Sequence, residues 1–184
     1  MTESSNIETA IERAEQASHG RRPDAAAQRR LRTALGRFAT GVTIVTTRES
    51  DGAPVGMTVN SFASVSLEPP LVLWSAARSS LRYAHFAEAE AFAIHVLADD
   101  QKTLAERFAR QGHGFDGLGY SLNERGVPVL DHALARFECD TEARHDGGDH
   151  TIIIGRVTRF ESVEQGAPLV FAHGSYGRFS PGLD

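Results

Sequence analysis

Between Gly56 and Ser80 the chain reads G-M-T-V-N-S-F-A-S-V-S-L-E-P-P-L-V-L-W-S-A-A-R-S-S, and the Pro69-Pro70 pair inside it rules out a continuous helix. Proline has no N–H to donate, and its ring clashes with the preceding helical turn. The apolar and β-branched residues on either side therefore predict two strands, Val55 to Val65 and Leu71 to Ser75. Small polar residues sit between the bulky ones: Thr58, Asn60, Ser61, Ser64, Ser66 and Ser75. A strand edge of this kind offers donors and acceptors to a flat heterocycle, while Arg78, Ser79 and Ser80 offer donors to a phosphate. The ligand suggested is planar at one end and anionic at the other. The same residues also suit the solvated face of an antiparallel strand and its turn, so the pattern alone leaves both readings open.

The rest of the chain predicts short strands with few helices. Residues 1–23 are polar, and a thin stripe of Ile7, Ala10, Ile11 and Ala14 predicts at most a short helix over Asn6 to Ala17, so this stretch reads as a flexible tail ahead of one domain over 24–184. A helix is predicted from Asp24, a capping residue, to Thr40, with Ala27, Leu31, Leu35 and Phe38 on one face and Gly41 as the stop. Val42 to Thr47 reads as a strand, and Glu49-Ser50-Asp51-Gly52 as the hairpin turn after it. The segment Ser80 to Ala87 predicts a short helix, whose N-terminus would favour an anion near Ser79 and Ser80. Ala91 to Leu97 reads as a buried strand, and Asp99 or Asp100 opens a helix to Arg110 with Leu104, Ala105 and Phe108 inward.

Beyond that helix, Gln111 to Val127 is glycine-rich and reads equally as a lid or a surface connection. Ala133 to Ala143 and Thr151 to Glu161 form a strand pair around His145-Asp146-Gly147-Gly148-Asp149-His150, and the run I-I-I-G-R-V suggests burial on both faces of the second. A last strand is predicted at Leu169 to Phe171. Without βαβ alternation or an internal repeat, this order favours a closed or nearly closed antiparallel barrel.

Charge and motifs exclude several functions. The net charge of −5 supplies no cationic field for a nucleic acid or an anionic membrane. A single cysteine, Cys139, excludes an internal disulfide and a cysteine-rich metal site. No long apolar run follows a basic start, so neither a signal peptide nor a membrane span is predicted, and the cytoplasm is the expected compartment. The run H-D-G-G-D-H holds two histidines and two aspartates, but a metal centre needs ligands converging in fixed geometry, and no metal is expected. No G-x-S-x-G elbow, dinucleotide-binding glycine motif or P-loop occurs.

The string G-M-T-V-N-S-F-A-S-V-S-x-x-P-P-L-V-L, followed by R-S-S and by G-D-H at Gly148 to His150, resembles the short-chain flavin reductases. The resemblance runs from about Leu31 to Phe179 and implies a mainly β protein with flanking helices, a six-stranded antiparallel split barrel of the FMN-binding type. It implies hydride transfer from NADH or NADPH to FMN or FAD, a homodimer, and an oxygenase partner fed with reduced flavin. It places Thr58, Val59, Asn60 and Ser61 along the isoalloxazine, Ala63 and Ser64 at its polar edge, and Ser79 and Ser80 at the phosphate. His150 would orient the nicotinamide or face the flavin, with a capping role at the hairpin end as the alternative. Tyr176 would border the site or seal the barrel. The same fold also admits a non-catalytic flavin- or heme-binding protein, or a flavoprotein reducing another acceptor such as a corrin.

Overall fold

The computed structural model describes residues 24–180 and Gly182. The predicted tail over 1–23, with its helix at Asn6 to Ala17, lies outside the described residues. The chain divides into two units, Met1–Phe38 and Ala39–Asp184.

In the first unit, helix α1 spans Ala25–Leu35. Asp24 caps it as predicted: its Oδ1 accepts from Ala27 N–H at 2.6 Å. The helix stops before Thr40 because Gly36 closes it, donating to Arg32 O at 2.9 Å. In the second unit Thr40–Gly41 forms strand β1 and pairs with Phe171 and Val170, so tertiary pairing overrides helical spacing there.

The second unit is built on one antiparallel sheet. Its members are β2 (Thr43–Arg48), β3 (Pro54–Val59), β4 (Ala63–Leu67), β5 (Pro70–Ala77), β6 (Ala91–Val96), β9 (Ala135–Gly147) and β10 (His150–Ser162), in the order β3-β2-β6-β9-β10-β5-β4. The single strand predicted over Val55 to Val65 is thus two strands at opposite ends of this order. Asn60, Ser61 and Phe62 carry the chain from one edge to the other.

The order nevertheless closes on itself through β3 and β5. One core gathers Val45 of β2, Val55 and Met57 of β3, Trp74 of β5, Phe92 and Ile94 of β6, Cys139 of β9 and Ile153 of β10, all buried. Six strands therefore curl around a common interior. The seventh, β4, hangs on β5 and is mostly exposed, which reconciles a count of seven with the six-stranded barrel implied by the resemblance. Trp74 anchors the interior, edge-on to Phe86 at 5.3 Å and to Phe92 at 6.0 Å. Burying each such ring is worth roughly 1.5–3 kcal/mol.

A second apolar layer covers the outer face of β2. Val42, Ile44 and Leu97 pack beneath helix α3 (Lys102–Arg110) and the following loop, against Ala105, Phe108, Phe115, Leu130 and Leu169. Strand β2 is consequently buried on both faces, as is β6 for most of its length. The run I-I-I-G-R-V is not: in β10 Thr151, Ile153 and Gly155 are buried while Ile152 and Ile154 stay partly exposed. Apolarity alone did not distinguish those cases.

The glycine-rich segment is a packed connection. Phe115 lies edge-on to Phe108 at 4.9 Å, and a short hairpin of β7 (Tyr120–Leu122) and β8 (Pro128–Leu130) returns over β2 and β6. Strands β11 (Leu169–Ala172) and β12 (Ser175–Arg178) form a small sheet with β1. Helix α2 (Tyr83–Glu88) starts later than the predicted Ser80, since residues 78–82 are spent in turns.

Candidate functional site

The predicted site residues other than Ala63 and Ser64 fall along one strip, from the turn after β5, past the end of β3, to β12. Its first part is the turn at residues 78–82. Arg78 N–H donates to Asp149 O at 3.0 Å, and the Arg78 guanidinium binds Asp146 at 2.9 Å and approaches the carbonyl of His150 at 3.4 Å. This locks the turn against the β9–β10 hairpin, where His150 pairs with Ala77.

Within the turn the two serines differ. Ser80 Oγ accepts from Arg82 N–H at 3.2 Å and donates to Met57 Sδ at 3.6 Å, so its hydroxyl braces the turn onto β3. Ser79 is exposed, and its hydroxyl has no partner among the described residues. The predicted anion site at a helix N-terminus is absent here: α2 begins at Tyr83, its N-cap Arg82 makes no side-chain cap, and six residues build little dipole.

His150 Nδ1 lies 2.7 Å from Asp149 Oδ1. The carboxylate accepts, so Nδ1 carries the hydrogen and Nε2 is left without a protein partner among the described residues. The hydrogen bond from His150 holds the Asp149 carboxyl below its ordinary range. The hairpin turn itself is capped by Asp146, whose Oδ1 accepts from Gly148 N–H at 3.0 Å. The imidazole is therefore not what closes the turn.

Toward β3 the polar residues are partly consumed by the fold. Thr58 Oγ1 donates to Ala105 O in α3 at 2.7 Å. Ser61 Oγ accepts from Ser75 N–H at 2.9 Å and donates to Ser75 O at 3.3 Å, so one hydroxyl stitches the segment after β3 to β5, two strands that share no ladder bonds. Asn60 is exposed and unengaged among the described residues. Ala63 and Ser64 lie on exposed β4, opposite Leu73 and Val72.

A cavity of about 170 Å³ opens where Thr58, Val59 and Asn60 meet Val42, Ala109, Phe171 and Tyr176. Tyr176 stacks edge-on with Phe171 at 5.3 Å, and the Lys102 ammonium sits 6.0 Å from its ring centre. Burial, with the Glu106 carboxylate adding to it and Arg110 opposing, pushes the Tyr176 phenol up, so it remains a neutral donor. The structure thus brings Thr58, Val59, Asn60 and Tyr176 to one cavity and Ser79, Ser80 and His150 to one turn, which rests on Met57, the residue before Thr58 in β3. Ser61 supports the wall between.

A larger cleft, about 1040 Å³, opens at the opposite end of β2 between Arg48, Glu49, His85, Glu90 and Arg125. It contains none of the predicted residues, and its charged lining of both signs suits solvent. Sequence reasoning missed Val42, Ala109 and Phe171, which reach the cavity from distant segments, and Arg82, described below. Asp149 was legible as the neighbour of His150 in G-D-H.

The family model described as Flavin reductase like domain matches residues 35–180. The chain is 58% identical over 152 residues to FMN reductase (NADH) SmoA of Agrobacterium fabrum, covering 83% of this chain and 86% of that protein. It is 42% identical over 154 residues to the reductase subunit HsaB of a flavin-dependent monooxygenase from Rhodococcus jostii, covering 83% and 78%. Among solved structures, the NADH:FAD oxidoreductase SgcE6 of Streptomyces globisporus, in complex with NAD and FAD fragments, superposes with a TM-score of 0.80 at 36% identity, covering 90% of this chain and 100% of that one.

Proposed function

The chain belongs to the flavin reductase like domain family, and on that premise we propose that it is an NADH-dependent flavin reductase delivering reduced FMN or FAD to the oxygenase component of a two-component monooxygenase. The observation that carries this reading is the strip itself. It pairs a cavity lined by neutral donors and apolar walls with a turn that keeps a free hydroxyl, Ser79, and this donor set fits a planar heterocycle bearing a phosphate.

When bound, flavin and reduced nicotinamide supply the hydride acceptor and donor, so the protein's task is orientation. Thr58 and Ser61, tied to Ala105 and Ser75, hold the wall rather than spending their hydroxyls on the ligand. Val59, Asn60 and Tyr176 border the ring, with Ala63 and Ser64 at its polar edge. Ser79 binds the phosphate, and Ser80 shapes the turn that presents it. His150, fixed as an Nδ1 donor by Asp149, offers Nε2 to the nicotinamide.

We further propose that the molecule is a homodimer acting in the cytoplasm, where reduced nicotinamide is produced. Leu71, Leu73, Ile152 and Ile154 share the outer face of β5 and β10 and are only partly buried, while Val65 and Leu67 on β4 are exposed, an apolar area suited to a second copy. No helix among the described residues is long and apolar enough to cross a membrane.

Anaerobic stopped-flow mixing with NADH and a several-fold excess of free flavin tests the function. Bleaching of flavin well beyond one equivalent per protein is expected. Reduction limited to bound flavin would redirect the assignment to another acceptor, and no reduction would leave a binding protein.

A further inference from the structure

Arg82 joins three parts of the site that are far apart in sequence. Its Nη1 donates to Phe108 O at 2.6 Å and reaches Gly56 O at 3.5 Å, and Nη2 donates to Ala109 O at 3.1 Å. Two of these carbonyls belong to the last turn of α3, where the helix leaves acceptors unpaired and a cation is favoured. The third belongs to β3. The backbone N–H of Arg82 meanwhile donates to Ser80 Oγ, so the residue braces the serine turn with its main chain and the helix end with its side chain. Gly112 leaves room for the stem: a Cβ there would stand 2.7 Å from Arg82 Cδ. Among the carbonyls it holds is that of Ala109, which lines the cavity with Thr58, Val59 and Asn60.

We infer that Arg82 is a positioning residue that sets the distance between the Ser79–Ser80 turn and the Thr58–Asn60 cavity, so that one flavin can engage both at once. This rests on the flavin reading given above. The guanidinium is occupied by backbone acceptors and acts through the turn and helix it fixes. A planar fork is needed, because one donor group must span neighbouring carbonyls; an ammonium satisfies them one at a time.

The test compares FMN with riboflavin, which has the same ring but no phosphate, in wild type, Arg82→Met and Arg82→Lys. In wild type the riboflavin dissociation constant is expected to exceed that of FMN by roughly ten- to a hundredfold, the worth of a charge-assisted phosphate contact. In Arg82→Met the ratio should collapse to within about threefold, because ring and phosphate are no longer held in register. Arg82→Lys should fall between the two, and it remains informative if the methionine variant does not fold. A merely structural role lowers the melting temperature and weakens both ligands alike; a wild-type ratio in either folded variant overturns the inference. Equal affinities in the wild type would overturn it too, while the stopped-flow assay independently reports whether the reductase assignment stands.

Discussion

Single side chains in this protein divide into those the fold has consumed and those it leaves free. Ser61 and Ser79 make the contrast testable. Ser61→Ala removes the stitch to both Ser75 backbone groups and should cost roughly 1–2 kcal/mol in denaturant unfolding. Ser79→Ala should leave stability within about 0.5 kcal/mol while raising the FMN dissociation constant; unchanged FMN affinity would move the phosphate elsewhere. His95 is consumed entirely: Leu130 N–H donates to its Nε2 at 3.0 Å, so Nδ1 carries the hydrogen donated to Ile44 O at 3.1 Å. Burial, with a smaller push from Arg136 and against the Ile44 bond, moves its pKa down from 6.5 to about 4. Because the folded state favours the neutral ring, its stabilisation is complete above pH 6.5 and is lost as pH falls toward 4. The loss is on the order of 3 kcal/mol. His95→Leu should be less stable at pH 7 and show a shallower acid slope in unfolding measured from pH 7 to 4; an unchanged slope would show that another group drives it.

Among the elements, α3 matters most to the site, because it packs closely on β3, with the Phe108 ring lying against the bare Cα of Gly56. A Cβ at Gly56 would lie 2.6 Å from Phe108 Cε1. Gly56→Ala should therefore push the helix outward, costing roughly 1–3 kcal/mol and weakening flavin binding through Ala109 and Thr58. Retained stability with normal flavin affinity would show that the Phe108 ring simply swings aside. Most elements could be read from periodicity and punctuation. The Asp24 cap, the Glu49 turn, strand β6 and the helix ending at Arg110 all follow from local chemistry. The break at residues 60–62 did not, since nothing local to Asn60 and Ser61 says that the chain leaves one sheet edge for the other.

For the whole molecule, the decisive feature is the curl that brings β3 and β5 to a shared core without pairing their backbones. It turns an open seven-stranded order into a barrel and leaves the outer face of β5 and β10 half covered. In the homodimer proposed above, Leu73→Asp combined with Ile152→Asp should leave monomer in sedimentation velocity, because each protomer would have two charges to desolvate where the apolar faces meet. The fold of the monomer should survive, as both positions are already partly solvent-exposed. A variant that stays dimeric would place the interface on another face.

Local chemistry along the chain accounts for the strand-rich class, the turn that interrupts Gly56 to Ser80, and the family resemblance carried by G-M-T-V-N-S, R-S-S and G-D-H. These are readable because strand alternation, proline and glycine act within a few residues of themselves. Tertiary structure alone decided which hydroxyls are free. Thr58, Ser61, Ser79 and Ser80 are chemically alike in the sequence, yet three of them are bound to Ala105, Ser75, Met57 or Arg82 and only Ser79 is not. A hydroxyl's availability depends on which distant carbonyl or amide packing brings within about 3 Å of it. Spacing along the chain carries no record of that distance, and for the same reason Arg82 stood unmarked two residues beyond the serines it braces.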